Sequence, residues 1–356
     1  MYTLDQKIQI KKINNSPVAK SLSLFPEQLV DSWREAGEVK LPSSYKDFDQ
    51  IVFCGMGGSN LAPELIQSVF GSQIKKPVIL IRDYHLPAFV NKNTLVFICS
   101  YSGGTEESVS CFHETRNRKA KIFCLASGGE IINSAKKNRL PYYQFSTKTN
   151  PSGQPRYGLG LQIGALLNIL TRLKVINLSN QKIADLAKYI EELGIHFSPE
   201  SIFTKNPAKQ LANNLQNSSI LVIAGEFLSA NAHILSNQLN ESAKNFAVWQ
   251  LIPELNHHLL EGLGQPKEFK KQILVLFLTS NSYSTKIQKR FTITEKVLEK
   301  QKIKSCEYQS TNQDPLTASL ELITLGSWLS LYLSSLNKQN PAKIPWVDFF
   351  KKELAK

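Results

Sequence analysis

The sequence is poor in several things that would narrow its class at once. Its 356 residues hold five cysteines, four tryptophans and two methionines. The cysteines (Cys54, Cys99, Cys111, Cys124 and Cys306) are odd in number and show no CxxC spacing. They read as buried, reduced thiols and not as a disulfide framework. No apolar run approaches the ~18 residues of a membrane span. The N-terminal stretch MYTLDQKIQIKKINN has no apolar h-region and no small-residue cleavage site, so a cytoplasmic protein without membrane attachment is expected. There is no GxxxxGK[ST] loop and no HExxH. Of six histidines only His257 and His258 are neighbours, and neighbours on a chain rarely converge on one ion. The expectation is a protein with no metal and no cofactor. Acidic residues are few against basic ones, 29 against 42, for a formal charge of +13. Such a balance attracts anions. The basic residues are nevertheless scattered, with the densest groups at Lys11-Lys12, Lys136–Arg139 and Lys286–Lys304. No aromatic residues interleave with them, so nucleic acid is not the expected partner.

Apolar residues make up 42% and charged residues 20%, as in a globular protein long enough for two domains. Residues 1–45 read as helical. Short apolar runs then alternate with helical patterns: Ile51–Cys54, Val78–Ile81, Thr94–Cys99, Ala120–Leu125 and Tyr142–Phe145. The Pro/Gly-rich stretch Asn150–Gly160 interrupts the rhythm. It restarts with a long apolar helix, Leu161–Leu173, and the runs Ile220–Ala224, Val248–Ile252, Ile273–Thr279 and Lys302–Tyr308. A last apolar helix, Leu316–Leu336, leads to the tail. Short apolar strands alternating with helices argue for an α/β protein with doubly wound parallel sheets. The expected division is 1–45 as an N-terminal helical segment, 46–160 and 161–340 as two domains, and 341–356 as a C-terminal tail.

In such sheets ligands bind beyond the carboxyl ends of the strands. Two hydroxyl- and glycine-rich segments stand there: Gly55-Met56-Gly57-Gly58-Ser59-Asn60 and Ser100-Tyr101-Ser102-Gly103-Gly104-Thr105. Each follows a strand and precedes a helix, whose N-terminal N–H groups and dipole favour an anion such as phosphate. As tight turns and helix caps they would also be ordinary. The first begins like a dinucleotide fingerprint, with Asp83 after the next strand, but Asn60 stands where a third glycine is needed, so NAD is disfavoured. The second half carries a polar cluster, Asn240-Glu241-Ser242-Ala243-Lys244 and Pro253-Glu254-Leu255-Asn256-His257-His258. A carboxylate suits proton abstraction, an imidazole suits hydroxyl protons near neutral pH, and Arg156 suits an oxyanion. Each also has a plain reading: Glu241 as a solvated helix residue, His257 as a turn residue, Arg156 as an ion-pair partner.

Together these segments resemble the bifunctional phosphoglucose/phosphomannose isomerases, a family built from two sugar isomerase (SIS) domains of flavodoxin-like type. The resemblance runs through Gly55–Ser59, Arg82-Asp83-Tyr84 with Leu86-Pro87, Ser100–Glu107, Pro155-Arg156-Tyr157, Asn240–Lys244, Pro253–His257 and the tail Ile344–Lys351. It implies that Gly57, Gly58, Ser59, Ser100, Ser102 and Thr105 bind the sugar phosphate. It implies that Glu241 moves a proton between C1 and C2, that His257 opens the sugar ring from the partner subunit of a homodimer, that Lys351 (with Lys352 beside it) assists, and that Arg156 stands beside the enediolate. The implied substrate is a hexose 6-phosphate. Ser242, where the family often has Asn, and His258 depart from the pattern. Two other readings stay open at this point: a non-catalytic SIS-type sugar-phosphate sensor, and an isomerase of another sugar phosphate.

Overall fold

Every apolar run that alternates with a helical pattern is a strand in the computed structural model, which describes residues 3–354 and 356. The first five are β1 Gln50–Cys54, β2 Val78–Ile81, β3 Thr94–Cys99, β4 Lys121–Ala126 and β5 Tyr142–Gln144. The next four are β6 Ser219–Gly225, β7 Ala247–Ile252, β8 Ile273–Ser280 and β9 Lys304–Ser310. They form two sheets, ordered β2-β1-β3-β4-β5 and β7-β6-β8-β9, and every pairing is parallel. The strand order reverses between β1 and β3 in the first sheet and between β6 and β8 in the second. Those reversals open a crevice at the carboxyl edge, where this fold class takes its ligands.

β3 and β8 are buried at every position, as expected for central strands covered on both faces. Register puts Phe53 opposite Phe97 and Phe97 opposite Phe123. Their rings lie 4.8 Å and 5.5 Å apart between centroids. This aromatic row locks β1, β3 and β4 in register, so the turns leaving their carboxyl ends start side by side.

The chain divides into two compact units, residues 23–191 around the first sheet and residues 1–22 with 192–356 around the second. This differs from the boundaries expected at 45/46 and 160/161, and the reason is helix packing. Helix Leu159–Arg172 lies against helix Phe25–Gly37 in the first-sheet unit. A Cβ on Gly164 would stand 2.2 Å from the Leu29 carbonyl oxygen, and Ser32 Oγ donates to the Gly160 carbonyl (3.1 Å). Only glycine permits that approach. In the other unit Asp5 accepts from the Phe203 N–H (2.9 Å) and from the fully buried Lys209 ammonium (2.8 Å). That bond ties the first residues to the second sheet's helices.

Helix Pro315–Leu336, expected as an apolar helix over 316–336, is apolar without being an unbroken apolar run. Over 22 residues it is long and apolar enough, by length and composition, to cross a membrane, with a mean hydropathy of 1.3 over its best window. Serines, threonines and Glu321 interrupt the run, which is why no unbroken stretch shows in the sequence. That window is wholly buried. The buried Glu321 carboxylate accepts from Tyr308 Oη (2.9 Å), Ser310 Oγ (3.0 Å) and the Thr311 N–H (3.0 Å), as the core of a folded unit demands of a carboxylate.

Candidate active site at the first switch point

β1 ends at Cys54 and its turn feeds helix Gly58–Phe70, while β3 ends at Cys99 and its turn feeds helix Glu106–Asn117. The two strands are neighbours across the switch point, so both hydroxyl-rich segments meet there. The Tyr101 N–H donates to Ser59 Oγ (2.9 Å), which joins one turn to the other. Ser100 Oγ accepts from the Gly103 N–H (3.0 Å) and lies 3.0 Å from Thr105 Oγ1. Ser102 Oγ accepts from the Gly104 N–H at 3.4 Å. Ser59 and Ser100 are buried, Thr105 is half-buried, and Ser102 and Gly57 are exposed. Neither helix has a side-chain hydrogen bond at its N-cap, Gly57 or Thr105. The Thr105 hydroxyl turns to Ser100 instead. Two helix N-termini with this arrangement, on adjacent strands, present converging N–H dipoles to an anion.

Gly103 holds the second turn in place. Its φ is +77°, and a Cβ there would fall 1.8 Å from the Gly128 carbonyl oxygen in the turn after β4. Gly103→Ala is therefore expected to cost at least about 2 kcal/mol, from the left-handed backbone and the forced displacement together. Thermal unfolding of the purified variant measures it, and an unchanged midpoint would refute the argument.

Arg156 belongs to this cluster. It sits in the single turn Pro155–Tyr157 and is buried. A Cβ on Gly58 would lie 3.8 Å from the Arg156 backbone N, so the arginine's turn packs on the start of helix Gly58–Phe70. The guanidinium donates to Gln154 Oε1 (3.1 Å), and its carbon stands 5.0 Å from the centre of the Tyr157 ring. Burial holds the Tyr101 phenol above its ordinary range, and the hydrogen bond from Asn150 opposes that shift. The structure thus brings Gly57, Gly58, Ser59, Ser100, Ser102, Thr105 and Arg156 together in one unit. Asn150 and Gln154, which bond Tyr101 and Arg156, escape sequence reasoning. Their only signal is a place in the Pro/Gly-rich stretch, and polar residues there are ordinary.

The other three candidates lie in the second-sheet unit. Glu241 is in a π-helical turn, Leu239–Ala243, that extends helix Ser229–Gln238. Lys244 ends it with φ +52° and donates through its ammonium to the Glu241 carbonyl. Asn240 secures the same turn to the start of β7: its Nδ2 donates to the Ala247 carbonyl (2.6 Å) and its Oδ1 accepts from the Ala247 N–H (3.1 Å). A π turn re-aims side chains relative to a regular helix and is frequent at functional sites. His257 ends the 3-10 turn Glu254–His257 after β7 and is exposed. Its neighbour Asn256 is fixed by Thr294 Oγ1 (2.8 Å) and Arg290 (3.3 Å). Lys351 is exposed on helix Pro345–Leu354, beside exposed Trp346, Phe349 and Phe350.

The second sheet repeats the switch point with a different filling. The turn after β6 begins Gly225-Glu226, and Glu226 has φ +44°. Its carboxylate accepts from the Ser284 N–H (3.0 Å) and from Ser284 Oγ, at the start of helix Thr285–Gln301. A protein carboxylate here takes the N-terminus that an anion would otherwise meet. Thr279, Ser280, Glu295 and Glu307 line the cavity at this edge, and its two carboxylates disfavour phosphate further. Sequence reading missed Glu226, because nothing in Gly225-Glu226-Phe227 marks it.

Residues 204–354 match the model of the bacterial phospho-glucose isomerase C-terminal SIS domain. The structure of a tagatose-6-phosphate ketose/aldose isomerase from Escherichia coli shares the fold with a TM-score of 0.69 at 12% identity, over 92% of this chain and 95% of that one. A hypothetical protein from Thermus thermophilus gives 0.71 at 16% identity, over 99% and 94%. Fold and turns together define a protein of the tandem SIS class. The bifunctional phosphoglucose/phosphomannose isomerase of Caldicellulosiruptor bescii is 30% identical over 341 residues, covering 94% of this chain and 98% of the relative; that of Aquifex aeolicus is 30% identical over 308 residues, covering 86% and 90%. The chain belongs to the bifunctional phosphoglucose/phosphomannose isomerase family.

Proposed function

We propose that the protein interconverts glucose 6-phosphate and mannose 6-phosphate with fructose 6-phosphate, through a cis-enediolate and without a cofactor. The observation that carries this is the pair of hydroxyl-rich turns across the first switch point, with the Arg156 turn packed on Gly58. The 6-phosphate is held by Ser59, Ser100, Ser102 and Thr105 and by the N–H groups at Gly57 and Gly58. Glu226 supports a single such site per chain, because it occupies the counterpart turn. His257 and Lys351 move the protons of ring opening, from the O1 hydroxyl to the ring oxygen. Glu241 takes the C2 proton of the open-chain aldose and returns it to C1, while the O2 proton passes to O1. Arg156 offsets the negative charge that develops on the enediolate oxygens. A flat enediolate has no C2 stereochemistry, so one base serves both aldoses if the C2–C3 bond rotates.

The enzyme works as a cytosolic homodimer in this reading, with His257 completing the partner's site. Support comes from the exposure of His257 and from the exposed aromatic residues of helix Pro345–Leu354, an apolar face suited to burial against a second copy. The deciding experiment is a coupled assay of fructose 6-phosphate formation from each aldose phosphate, run in the presence of EDTA. Turnover with both is expected. Turnover with neither would overturn the reading, and loss on chelation with rescue by one divalent ion would replace proton transfer by metal chemistry.

A further inference from the structure

Asn150 joins two parts of the candidate site that belong to distant parts of the sequence. Its side chain is 2% exposed and fully engaged. Nδ2 donates to Tyr101 Oη (2.7 Å) and to the Gln154 carbonyl oxygen (2.9 Å), and Oδ1 accepts from Ser152 Oγ (2.6 Å). The Gln154 carbonyl can only accept, so the amide's orientation is settled by its partners. On one side the path continues through the Tyr101 backbone, whose N–H is on Ser59 Oγ (2.9 Å). On the other it continues through Gln154, whose Oε1 accepts from the Arg156 guanidinium (3.1 Å). Gly158 makes room for the arrangement: a Cβ there would stand 2.7 Å from Tyr101 Cε2 and 2.9 Å from Asn150 Nδ2. Asn150 bonds neither Ser59 nor the Arg156 guanidinium directly, and its backbone is held in the loop by bonds to the Thr147 carbonyl (2.9 Å) and from the Gly153 N–H (3.0 Å).

We propose that Asn150 is a positioning residue for Arg156, setting the arginine's turn against the phosphate-gripping turn so that the guanidinium meets the charge of the enediolate. The inference rests on the proposed roles of those turns and of Arg156. In that reading the phosphate is gripped by hydroxyls and N–H groups that Asn150 does not bond directly, and Ser59 and Ser100 keep their bonds to the Tyr101 and Gly103 N–H groups without it, so the ground state keeps its anchor. What depends on Asn150 is the placement of one cation relative to a charge that appears only during reaction. Displacement of such a group by about 1 Å costs up to ~10²-fold in rate, and it acts on kcat and not on binding.

The test is a double-mutant cycle on steady-state kinetics with glucose 6-phosphate. The parallel measurement is the Kd of glucitol 6-phosphate, which has the phosphate but no carbonyl to enolise. Asn150→Ala is expected to lower kcat about tenfold or more, with KM and Kd held within about threefold. Gln154→Ala cuts the same link from a half-buried position that tolerates truncation, and is expected to give the same split even if Asn150→Ala fails to fold. In an Arg156→Ala background each substitution is expected to add less than about twofold, because the residue it positions is gone. A purely structural role would lower kcat by the same factor in both backgrounds, and that result, or a KM and Kd that rise with kcat unchanged, would overturn the inference. If Arg156→Ala is slow while the second substitution multiplies in full, the inference falls alone. If Arg156→Ala turns over like the wild type, the role of Arg156 falls and the inference with it.

Discussion

Glu241→Gln is expected to lower kcat by about 10²- to 10⁴-fold, the usual cost of losing a positioned base. The substitution keeps the side chain's size and removes its basicity. Asn240 secures the π turn Leu239–Ala243 to the start of β7 through two bonds to Ala247 that the substitution leaves in place, so the turn should survive. Binding of a sugar phosphate should change far less, because the turns proposed to hold the phosphate belong to the other unit. Solvent deuterium gives a second readout. The wild type should exchange the transferred proton with solvent during turnover, and Glu241→Gln should lose exchange and turnover together while it still binds ligand. Near-normal turnover of the variant would place the base elsewhere, with Glu254 the next carboxylate to test.

Activity should reappear when two inactive proteins are mixed. If His257 completes the partner's site, Glu241→Gln and His257→Ala homodimers are each defective at both sites. After random exchange of subunits about half the dimers are mixed, and each mixed dimer holds one site with both groups intact, so about a quarter of wild-type activity is expected from a closed two-fold dimer. The measurement needs exchange to be shown independently, by mass spectrometry of differently tagged subunits. Proven exchange without recovery would mean that each chain uses its own His257.

The strands were legible because their signal is local. Thr94–Cys99 and Ile273–Ser280 are short, carry unbroken apolar runs (Leu95–Cys99 and Ile273–Leu278) and are flanked by polar turns, and burial on both faces of a parallel sheet asks for no more than that. The placement of the two hydroxyl-rich turns was legible for a related reason: Gly55–Ser59 and Ser100–Thr105 each follow a strand and open a helix, and that pattern is written in consecutive residues. Glu241 was legible as a residue and not as a geometry. The periodicity of 230–245 suggests one continuous helix, whereas the regular part ends at Gln238 and a π turn follows. An extra residue in a helical turn changes the direction of a side chain without changing the apolar pattern.

Domain membership and the wiring of the site lay outside the sequence's reach. Local patterns alone determined the nine strands, the parallel class, the two hydroxyl-rich turns and, through motif resemblance, the residues proposed for chemistry. Tertiary structure alone decided that residues 1–22 join the second sheet, that Leu159–Arg172 joins the first, and that the long apolar helix Pro315–Leu336 is buried. It also decided that Asn150 bonds a tyrosine 49 positions away and that Glu226 bonds a serine 58 positions away. The physical reason is common to all of these. Periodicity and turn composition report what a residue needs from its neighbours in the chain. A buried amide or carboxylate takes whichever donor or acceptor the crossing of distant elements brings within about 3 Å, and polar residues of that kind look alike in sequence whether they are wired or merely wet.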